Sequence, residues 1–523
     1  MAVFLSQDAR GTIVVRTAPD LTGLNDRDLI IGDNNANIID GGAGDDTLLG
    51  GNGNDFLFGG VGQDSLDGGL GIDQIIGGAG DDIYSDVEEL DLVGEAAGGG
   101  TDLVLTRAPT LFLSAEVENL TRTGSDNFVG NGNNLANVIT GGAGIDTLNG
   151  LAGNDTIVGG VGNDTMNGGV DDDLFIWNNG DNTDTNNGEA GNDTQLINGA
   201  AAADIANVTA TGGVAVFTRT NLVPFSVNMT NIERLDLSPG EGDDQSTVGS
   251  LTGTAVTLVT FDGGAGNDRF DASGSSTPVS AQGGTGNDTL NGGTGVDTLA
   301  GGLGDDSYLV QNLGDIVTEA SGGGTDSVAS SVTFALGATA DVEFLSTSNA
   351  AGTTDLNLTG SSIGNTIRGN DGRNVLAGLA GDDALFGLGG RDDLRGGDGD
   401  DVLSGGRGRD VLRGEAGRDT YLFDARVVRA EADVIVGFSS ADDTIQLDSA
   451  IFRNVPRVGP QGQIASDAFF RGKAAQDAED RIIYDQATGS LYYDRDGTGG
   501  AAQIKFADLD NEARLRLSDI III

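Results

Sequence analysis

A nine-residue repeat with a constant phase constrains this chain more than any other feature of its sequence. Five units follow without a break from Gly41, namely GGAGDDTLL, GGNGNDFLF, GGVGQDSLD, GGLGIDQII and GGAGDDIYS. Thirteen units in the chain keep the full pattern Gly-Gly-x-Gly-x-Asp-x-apolar-x when tyrosine is counted as apolar. A disordered Gly-rich linker has no reason to hold an Asp and an apolar residue in phase, so the pattern predicts an ordered repeat protein.

The repeats form four blocks, and these blocks divide the chain into nine predicted segments. Looser copies of the unit precede the first block, at Gly23 and Gly32, and GNNLANVIT opens the second block. The predicted segments are an N-terminal lead at 1–22, repeat blocks at 23–85, 132–176, 263–310 and 360–424, β connectors at 86–131 and 311–359, a β-rich insert at 177–262, and a C-terminal cap and export region at 425–523.

The spacing within one unit follows a physical logic. The apolar eighth residue, such as Leu48 or Leu57, belongs to a short strand and can point inward. Glycines at positions one, two and four would allow a tight turn with positive φ and bring backbone carbonyls close together. The Asp at position six can then aim its carboxylate at those carbonyls. Such a set of oxygens suits calcium best, because calcium accepts about six to eight oxygen ligands in flexible geometry.

These units resemble the nonapeptide of the RTX family, also called the haemolysin-type calcium-binding repeat. The resemblance implies that two nonapeptides make one coil, and that a calcium ion lies between each loop and the loop two units later. Asp46 and Asp64 would then share one edge of the roll, and Asp55 and Asp73 the other. The predicted fold class is all-β, a right-handed parallel β-roll or β-helix solenoid in several calcium-binding blocks, with β-rich inserts and a C-terminal β cap.

The position-six carboxylates are the candidate calcium ligands, and no catalytic residue or other cofactor site is predicted. Backbone carbonyls of the Gly-rich turns would complete the coordination, for example those of Gly41, Gly44, Gly50, Gly53, Gly396 and Gly399. The resemblance implies several calcium ions, roughly 10 to 20. The candidate ligands are Asp46, Asp55, Asp64, Asp73, Asp82, Asp146, Asp155, Asp164, Asp173, Asp268, Asp288, Asp297, Asp306, Asp383, Asp392, Asp401, Asp410 and Asp419.

The segments between the blocks contain an internal duplication. Those that begin at Asp81 and Asp305 share GGGTD at an offset of 224 residues and V-E-x-L at an offset of 225. Alternating stretches within them, such as 101–105 and 331–336, predict strands. The runs VAVFTRTN and TAVTLVTF predict strands in the insert as well. We expect all three segments to extend the roll or to stack on its end, which would bury open strand edges.

Composition and charge exclude several classes of function. The chain has 27 Lys and Arg against 80 Asp and Glu, a net charge of −53, which rules out binding nucleic acid or an anionic membrane through net charge. It has no histidine and no cysteine, which excludes Ser-His-Asp and Cys-His catalysis, disulfides and Cys-ligated zinc. No apolar run reaches the ~18 residues of a membrane span. The N-terminal MAVFLSQDARGTIVV does not resemble a cleaved secretory signal.

The nonapeptide repeats end at 419–424, and the residues that follow are richer in hydrophobic residues and tyrosines. The last part of the sequence resembles the C-terminal region of RTX proteins exported by type I secretion, which carries an uncleaved signal, and the apolar residues 520–523 fit that pattern. An ordinary β cap on the solenoid is the alternative, and the two are compatible. The run YDRDGTGG resembles part of an EF-hand loop, with Asp494 and Asp496 as candidate ligands, but it lacks the Glu at the twelfth position.

The high negative charge of this chain is consistent with export in an unfolded state. Without calcium, repulsion among the carboxylates should keep the chain expanded, and extracellular calcium should fold it. The sequence therefore predicts a protein that is secreted, extracellular or at the cell surface of a Gram-negative bacterium. Its predicted partners are calcium, a type I secretion apparatus, other copies of the chain in a lattice or filament, and cell-surface polysaccharide.

Three functions fit this composition. The first is a structural role at the cell surface, as an S-layer-like, matrix or adhesive protein, because repeats, inserts and an export tail account for the whole chain. The second is a calcium-dependent enzyme acting on polysaccharides, for which two carboxylates suffice. Its active site would have to lie in the insert, which contains Trp177, Arg219 and Arg234 but few aromatic residues. The third is a carbohydrate-binding module. We expect the first function, without enzymatic activity.

Overall fold

The structure is a computed structural model that describes residues 3–7, 13–16, 20–25 and 27–523. Ten residues of the predicted N-terminal lead, 1–22, therefore lie outside the described residues. The described chain is almost entirely β-strands and turns, with short 3-10 helices at Ser466–Ala468 and Leu517–Asp519. It divides into two compact units, Met1–Asp262 and Gly263–Ile523. The nine predicted segment boundaries stay predictions.

The first unit consists of two ladders of strands, and successive strands of the repeat blocks alternate between them. The first ladder contains Val3–Gln7, Ile13–Arg16, Asp28–Ile31, Thr47–Leu49, Ser65–Asp67, Ile83–Val87, Leu103–Thr106, Asn119–Arg122, Val138–Thr140, Thr156–Val158, Leu174–Trp177, Thr194–Asn198, Arg234–Ser238, Gly240–Glu241 and Leu258–Ala265. The second contains Asp20–Thr22, Ile38–Ala43, Phe56–Val61, Gln74–Ala79 and Leu92–Gly94, followed by a group formed by Thr110–Phe112, Val129–Asn131, Thr147–Ala152, Thr165–Val170, Asp184–Ala190, Ile205–Thr211, Val214–Arg219, Phe225–Thr230 and Gln245–Val248.

The second unit repeats this arrangement. Its first ladder contains Val279–Thr285, Thr298–Leu303 and Ile316–Thr318, followed by Phe334–Ala335, Asn357–Thr359, Val375–Ala380, Asp393–Asp398, Val411–Ala416, Asp433–Ile435, Ile504–Leu509, Ser490–Tyr493, Ile482–Asp485 and Phe469–Arg471. Its second contains Arg269–Asp271, Thr289–Asn291, Ser307–Val310, Ser327–Ser330, Phe344–Thr347, Thr366–Arg368, Ala384–Phe386, Val402–Ser404, Thr420–Phe423, Thr444–Leu447, Ile520–Ile522, Gln463–Ile464 and Arg457–Val458. A small additional pair joins Gly389–Gly390 to Arg407–Gly408.

The core of each unit is a stack of position-eight side chains. Leu48 pairs in parallel register with Leu66 on one ladder, and Leu57 pairs with Ile75 on the other. All four are fully buried. Because residues 18 apart are partners, two nonapeptides make one coil, as the resemblance to the RTX nonapeptide implies. The predicted all-β parallel β-roll is confirmed.

The connectors continue the ladders of their own unit. Leu92–Gly94 pairs in parallel with the repeat strand Gln74–Ala79, and Leu103–Thr106 pairs with Ile83–Val87. The predicted strand at 331–336 was too long, because only Phe334–Ala335 is extended there. Alternation of apolar residues marks the side that faces the core, but backbone pairing decides where a strand begins and ends.

The insert departs from parallel pairing at one place. The strands Ile205–Thr211, Val214–Arg219 and Phe225–Thr230 form an antiparallel meander. Its outer strands return to the roll, because Ile205–Thr211 pairs in parallel with Gln245–Val248, and Phe225–Thr230 with Asp184–Ala190. The insert therefore extends the roll of the first unit by a widened coil.

The three glycines of a unit have different roles. In the unit at 41–49, Gly42 and Gly44 have positive φ, 96° and 120°, as the sequence predicts. Gly41 does not, and that part of the prediction was wrong. A Cβ at Gly41 would lie 2.5 Å from the carbonyl oxygen of Gly59 and 2.6 Å from Asp46 Oδ2. The first glycine is required for close approach of the next coil and of the carboxylate.

Position two of one unit has positive φ although it is not glycine, and this makes a prediction. Leu379 occupies position two of GLAGDDALF with φ 86°, and its side chain is half exposed. We expect Leu379→Gly to stabilise the folded protein by about 1 kcal/mol, since a left-handed backbone costs a non-glycine residue about that much. Chemical denaturation in saturating calcium measures the change. An unchanged or lower midpoint would show that the leucine is not strained.

Candidate metal sites

The Gly-rich turns hold the position-six side chains in continuous rows. The backbone N–H of Asp46 donates to Oδ1 of Asp64 at 2.7 Å, and that of Asp64 donates to Oδ1 of Asp82 at 2.7 Å. The N–H of Asp55 donates to Oδ1 of Asp73 in the same way, at 2.7 Å. Each row therefore joins residues one coil apart. The pairs predicted to share an edge, Asp46 with Asp64 and Asp55 with Asp73, are neighbours in these rows.

The remaining predicted ligands lie in equivalent rows. Within the first unit, the rows of the second block are Asp146, Asp164 and Asp184, and Asp155, Asp173 and Asp193. Within the second unit they are Asp268, Asp288, Asp306 and Asp326; Asp297 and Asp315; Asp383, Asp401, Asp419 and Asp443; and Asp392, Asp410 and Asp433.

The second carboxylate oxygen of most of these residues has no protein donor. Among the described residues, Oδ2 accepts no hydrogen bond in fifteen predicted ligands, and each is at most 2% exposed. A buried carboxylate without a partner is costly, so each of these oxygens requires a cation or a proton. The fifteen are Asp46, Asp55, Asp64, Asp73, Asp82, Asp155, Asp164, Asp173, Asp288, Asp297, Asp306, Asp383, Asp392, Asp401 and Asp410.

Burial changes the acidity of these groups. It raises the pKa of Asp55 to about 6, of Asp46 to about 7 and of Asp392 to about 8, and hydrogen bonds from the preceding coil oppose the shift only in part. Neighbouring carboxylates of the same row raise these pKa values further. The folded roll therefore favours a positive charge, or a proton, beside each of these oxygens.

Units with Asn at position six show what the turn does without a carboxylate. Oδ1 of Asn37 accepts the N–H of Asp33 at 2.7 Å, and Oδ1 of Asn374 accepts that of Asn370 at 2.8 Å. Both donors occupy position two of the same unit. In these units, the neutral Asn side chain accepts a backbone hydrogen bond from its own turn. The Asp units leave this oxygen directed into a buried, electronegative space, which suits a calcium ion coordinated by carboxylate and carbonyl oxygens.

Asp146 and Asp419 lie outside this group of fifteen, and four suitable residues were missed. Oδ2 of Asp146 accepts the N–H of Gly142 at 2.7 Å, as in the Asn units, and Asp419 is not among the fifteen. Outside the predicted set, four further buried residues carry an Oδ2 that accepts no hydrogen bond in the described chain: Asp102, Asp184, Asp193 and Asp326.

A sequence signal existed for three of the four missed residues. Asp102 and Asp326 end the duplicated GGGTD motifs of the two connectors. Asp193 is the sixth residue of GEAGNDTQL, a degenerate nonapeptide that lacks the second glycine and the apolar eighth residue. The nonapeptide pattern therefore misses Asp193, because its unit has Gln195 instead of an apolar residue at position eight. It misses Asp102 and Asp326, because GGGTD is not a nonapeptide.

The register of one unit can be tested with two substitutions. In GGDGDDVLS, Asp401 at position six is buried and its Oδ2 accepts no hydrogen bond in the described chain, whereas Asp398 at position three is exposed. We expect Asp401→Ala to raise the calcium concentration needed at its site by roughly tenfold or more, and Asp398→Ala to have little effect. Calcium titrations followed by calorimetry compare the two. Equal effects would refute the register.

A pH dependence follows from the raised pKa values. A carboxyl whose pKa is higher in the folded state stabilises that state at low pH, and this contribution is lost as pH rises through about 6 to 8. In a calcium chelator, we therefore expect β-structure to increase when the pH is lowered from 8 to 5, because protons replace calcium. Circular dichroism measures this, with 1 M salt at pH 8 as the control for screened repulsion. Identical spectra at both pH values would contradict the expectation.

The insert residues considered for catalysis form a packed cluster. Trp177 stacks on Phe225 with ring centroids 3.7 Å apart, and the Arg219 guanidinium lies 4.7 Å from the Phe225 centroid. Arg219 also pairs with Asp204 at 3.3 Å, and both side chains are buried. The cavity beside them measures about 20 Å³, which suits one water molecule rather than a sugar. Arg234 is half exposed and pairs within its own strand.

Stacked Gly-rich turns with rows of buried carboxylates define this protein as a parallel β-roll of the calcium-binding class. The family model of the RTX calcium-binding nonapeptide repeat matches residues 22–57, 58–85, 140–175, 259–275, 280–308, 359–394 and 386–421. The chain therefore contains RTX calcium-binding repeats in all four of its repeat blocks, as the nonapeptides predicted. Proteins with these repeats are typically secreted and bind calcium. Comparison with curated proteins yields no relative. No helix of the described residues could cross a membrane.

Proposed function

We propose that this chain is a secreted calcium-binding protein with a structural role at the cell surface of a Gram-negative bacterium, as an S-layer-like, matrix or adhesive component. The observation that carries the proposal is the set of buried Oδ2 atoms, repeated coil after coil, that accept no hydrogen bond in the described chain. The position-six aspartates would hold calcium together with carbonyl oxygens of the adjacent turns. Calcium bound there supplies the positive charge on which folding of the roll depends.

The distribution of residues supports a structural role over an enzymatic one. In each unit, the blocks and the connector contribute strands to the roll, and in the first unit the insert does so as well. Trp177 and Arg219, which could have formed part of a sugar site, pack against each other beside a cavity of about 20 Å³. The outward-facing side chains of each roll are available for contacts with other copies or with polysaccharide. Type I secretion, guided by the C-terminal region, is the proposed route out of the cell.

Negative-stain imaging of the purified protein, with and without calcium, tests the proposed role. We expect two-dimensional sheets or filaments in millimolar calcium and none in a chelator. Magnesium at the same concentration is the control, because magnesium demands stricter geometry and keeps its waters. Isolated particles under all calcium conditions would contradict self-assembly. Hydrolysis or cleavage of a polysaccharide by the purified protein would contradict the non-enzymatic assignment.

A further inference from the structure

A group of three carboxylates lies where the first repeat block meets its connector. Asp82, Glu95 and Asp102 each bring one carboxylate oxygen to within 4.8 Å of the others. Asp82 is the last position-six residue of the block, whereas Glu95 and Asp102 belong to the connector. Asp82 and Asp102 are at most 1% exposed. Three like charges at this distance repel one another strongly unless a cation lies between them.

Two of these carboxylates have an oxygen that no protein group satisfies. Oδ2 of Asp82 and Oδ2 of Asp102 are buried and accept no hydrogen bond from the described residues. Oδ1 of each is engaged, because it accepts the backbone N–H of the position-six residue in the preceding coil. The free oxygens are therefore held in place by the ladder of the roll. Two buried carboxylate oxygens that are held close together and lack a donor favour a bound cation between them.

Glu95 is anchored beside them by the roll. Its carboxylate accepts the hydroxyl of Tyr84 and the N–H groups of Gly77, at 3.1 Å, and Gly78, at 3.2 Å. Tyr84 occupies position eight, where most other units carry a smaller aliphatic residue, and it is fully buried. A Cβ at Gly77 would lie 2.6 Å from the tyrosine oxygen, so only glycine leaves room for this arrangement.

A set of residues with the same sequence spacing and similar hydrogen bonds occurs in the second unit. Asp306, Glu319 and Asp326 follow the first set at the constant offset of 224 residues, and Tyr308 follows Tyr84. Glu319 accepts the Tyr308 hydroxyl and the N–H of Gly301, at 2.7 Å. Oδ2 of Asp306 and of Asp326 again accept no hydrogen bond from the described residues. Two copies in separate units show that the arrangement belongs to the duplicated junction.

We propose that Asp82, Glu95 and Asp102 bind one calcium ion at the end of the first block, and that Asp306, Glu319 and Asp326 bind its counterpart at the end of the third. This site differs from those within a block because a glutamate from the connector supplies a ligand. Binding there would order the connector together with the block. The inference rests on the proposed calcium binding of the repeats.

Terbium provides the probe, because Tb³⁺ binds oxygen sites suited to calcium and emits when a nearby tyrosine is excited. Tyr84 and Tyr308 contact the glutamates and so lie beside the proposed ions. In the full-length protein, we expect tyrosine-sensitised emission that falls sharply in Tyr84→Phe/Tyr308→Phe, while calcium-induced folding is retained. Unchanged emission in this variant would place the bound ions elsewhere and overturn the proposal.

Charge removal at the glutamates gives the second measurement. Glu95→Gln/Glu319→Gln keeps the acceptor for tyrosine and glycine but removes both charges. We expect half-maximal emission to require roughly tenfold to a hundredfold more Tb³⁺. The matched control is Glu241→Gln/Glu479→Gln, which removes one exposed carboxylate from each unit and should titrate like the parent.

The outcomes separate this proposal from the proposed function. Parent-like titration of Glu95→Gln/Glu319→Gln would show that the glutamates serve only as hydrogen-bond acceptors, and it would overturn the junction site alone. Absence of any calcium-induced folding in the parent protein would overturn the proposed calcium function itself. Should the glutamine variant fail to fold, the phenylalanine variant still decides, because it keeps all six carboxylates.

Discussion

In a calcium chelator at neutral pH, the chain is expected to lose its β-structure, and millimolar calcium is expected to restore it. The net charge of −53 and the rows of buried carboxylates oppose folding, and the glycine-rich turns lose much conformational entropy when they order. Bound calcium removes the electrostatic cost. Extracellular sites of this kind have affinities of ~10⁻⁴–10⁻³ M, so the transition should fall in that range.

Circular dichroism in EGTA, followed by a calcium titration, measures this transition. Magnesium at equal ionic strength is the matched control and should restore much less structure, because it accommodates the site geometry poorly. A strong β spectrum in EGTA at pH 7.5 would separate folding from calcium binding. The aliphatic core alone would then outweigh the cost of the buried carboxylates.

Removal of residues 464–523 is expected to trap the protein inside the cell. The resemblance to RTX proteins places an export signal in this region. The structure adds a second consequence, because Ile520–Ile522 pairs in parallel with Thr444–Leu447 and Ile504–Leu509 pairs with Asp433–Ile435. Truncation would therefore also uncover strand edges at the end of the second unit, and open edges promote aggregation. Immunoblots of medium, surface and cytosolic fractions measure the distribution.

Two controls separate export from capping. Ile445→Asp breaks the same strand pair from the other side, because Ile445 is fully buried opposite Ile520, and it leaves the last sixty residues intact. We expect this variant to be exported but poorly folded, since a buried unpaired charge is costly. Deletion of 1–22 should leave export intact. Normal export of the truncated chain would instead show that the C-terminal region is only a cap.

In the C-terminal region, which lacks repeats, the sequence predicts β-structure but not the continuation of the carboxylate rows. Its β character is clear, but nothing in the sequence shows that the rows of the fourth block continue into Asp433 and Asp443. These residues lie 23 and 24 positions after their partners instead of 18. Loops of variable length restore the row at this point, and only backbone pairing reveals it.

The sequence by itself determined which side chains form the core, because a strict period of nine keeps an apolar residue at the eighth position, and the resemblance of the units to the RTX nonapeptide implied the coil. It also determined most candidate ligands, since position six always falls at the same place in the turn. Only the tertiary structure decided which carboxylate oxygens lack a donor, because the donor to the other oxygen of each carboxylate comes from the preceding coil. It alone also brought Glu95 to Asp82 and Glu319 to Tyr308, since each glutamate lies outside the repeat and meets the block only when the connector folds onto it.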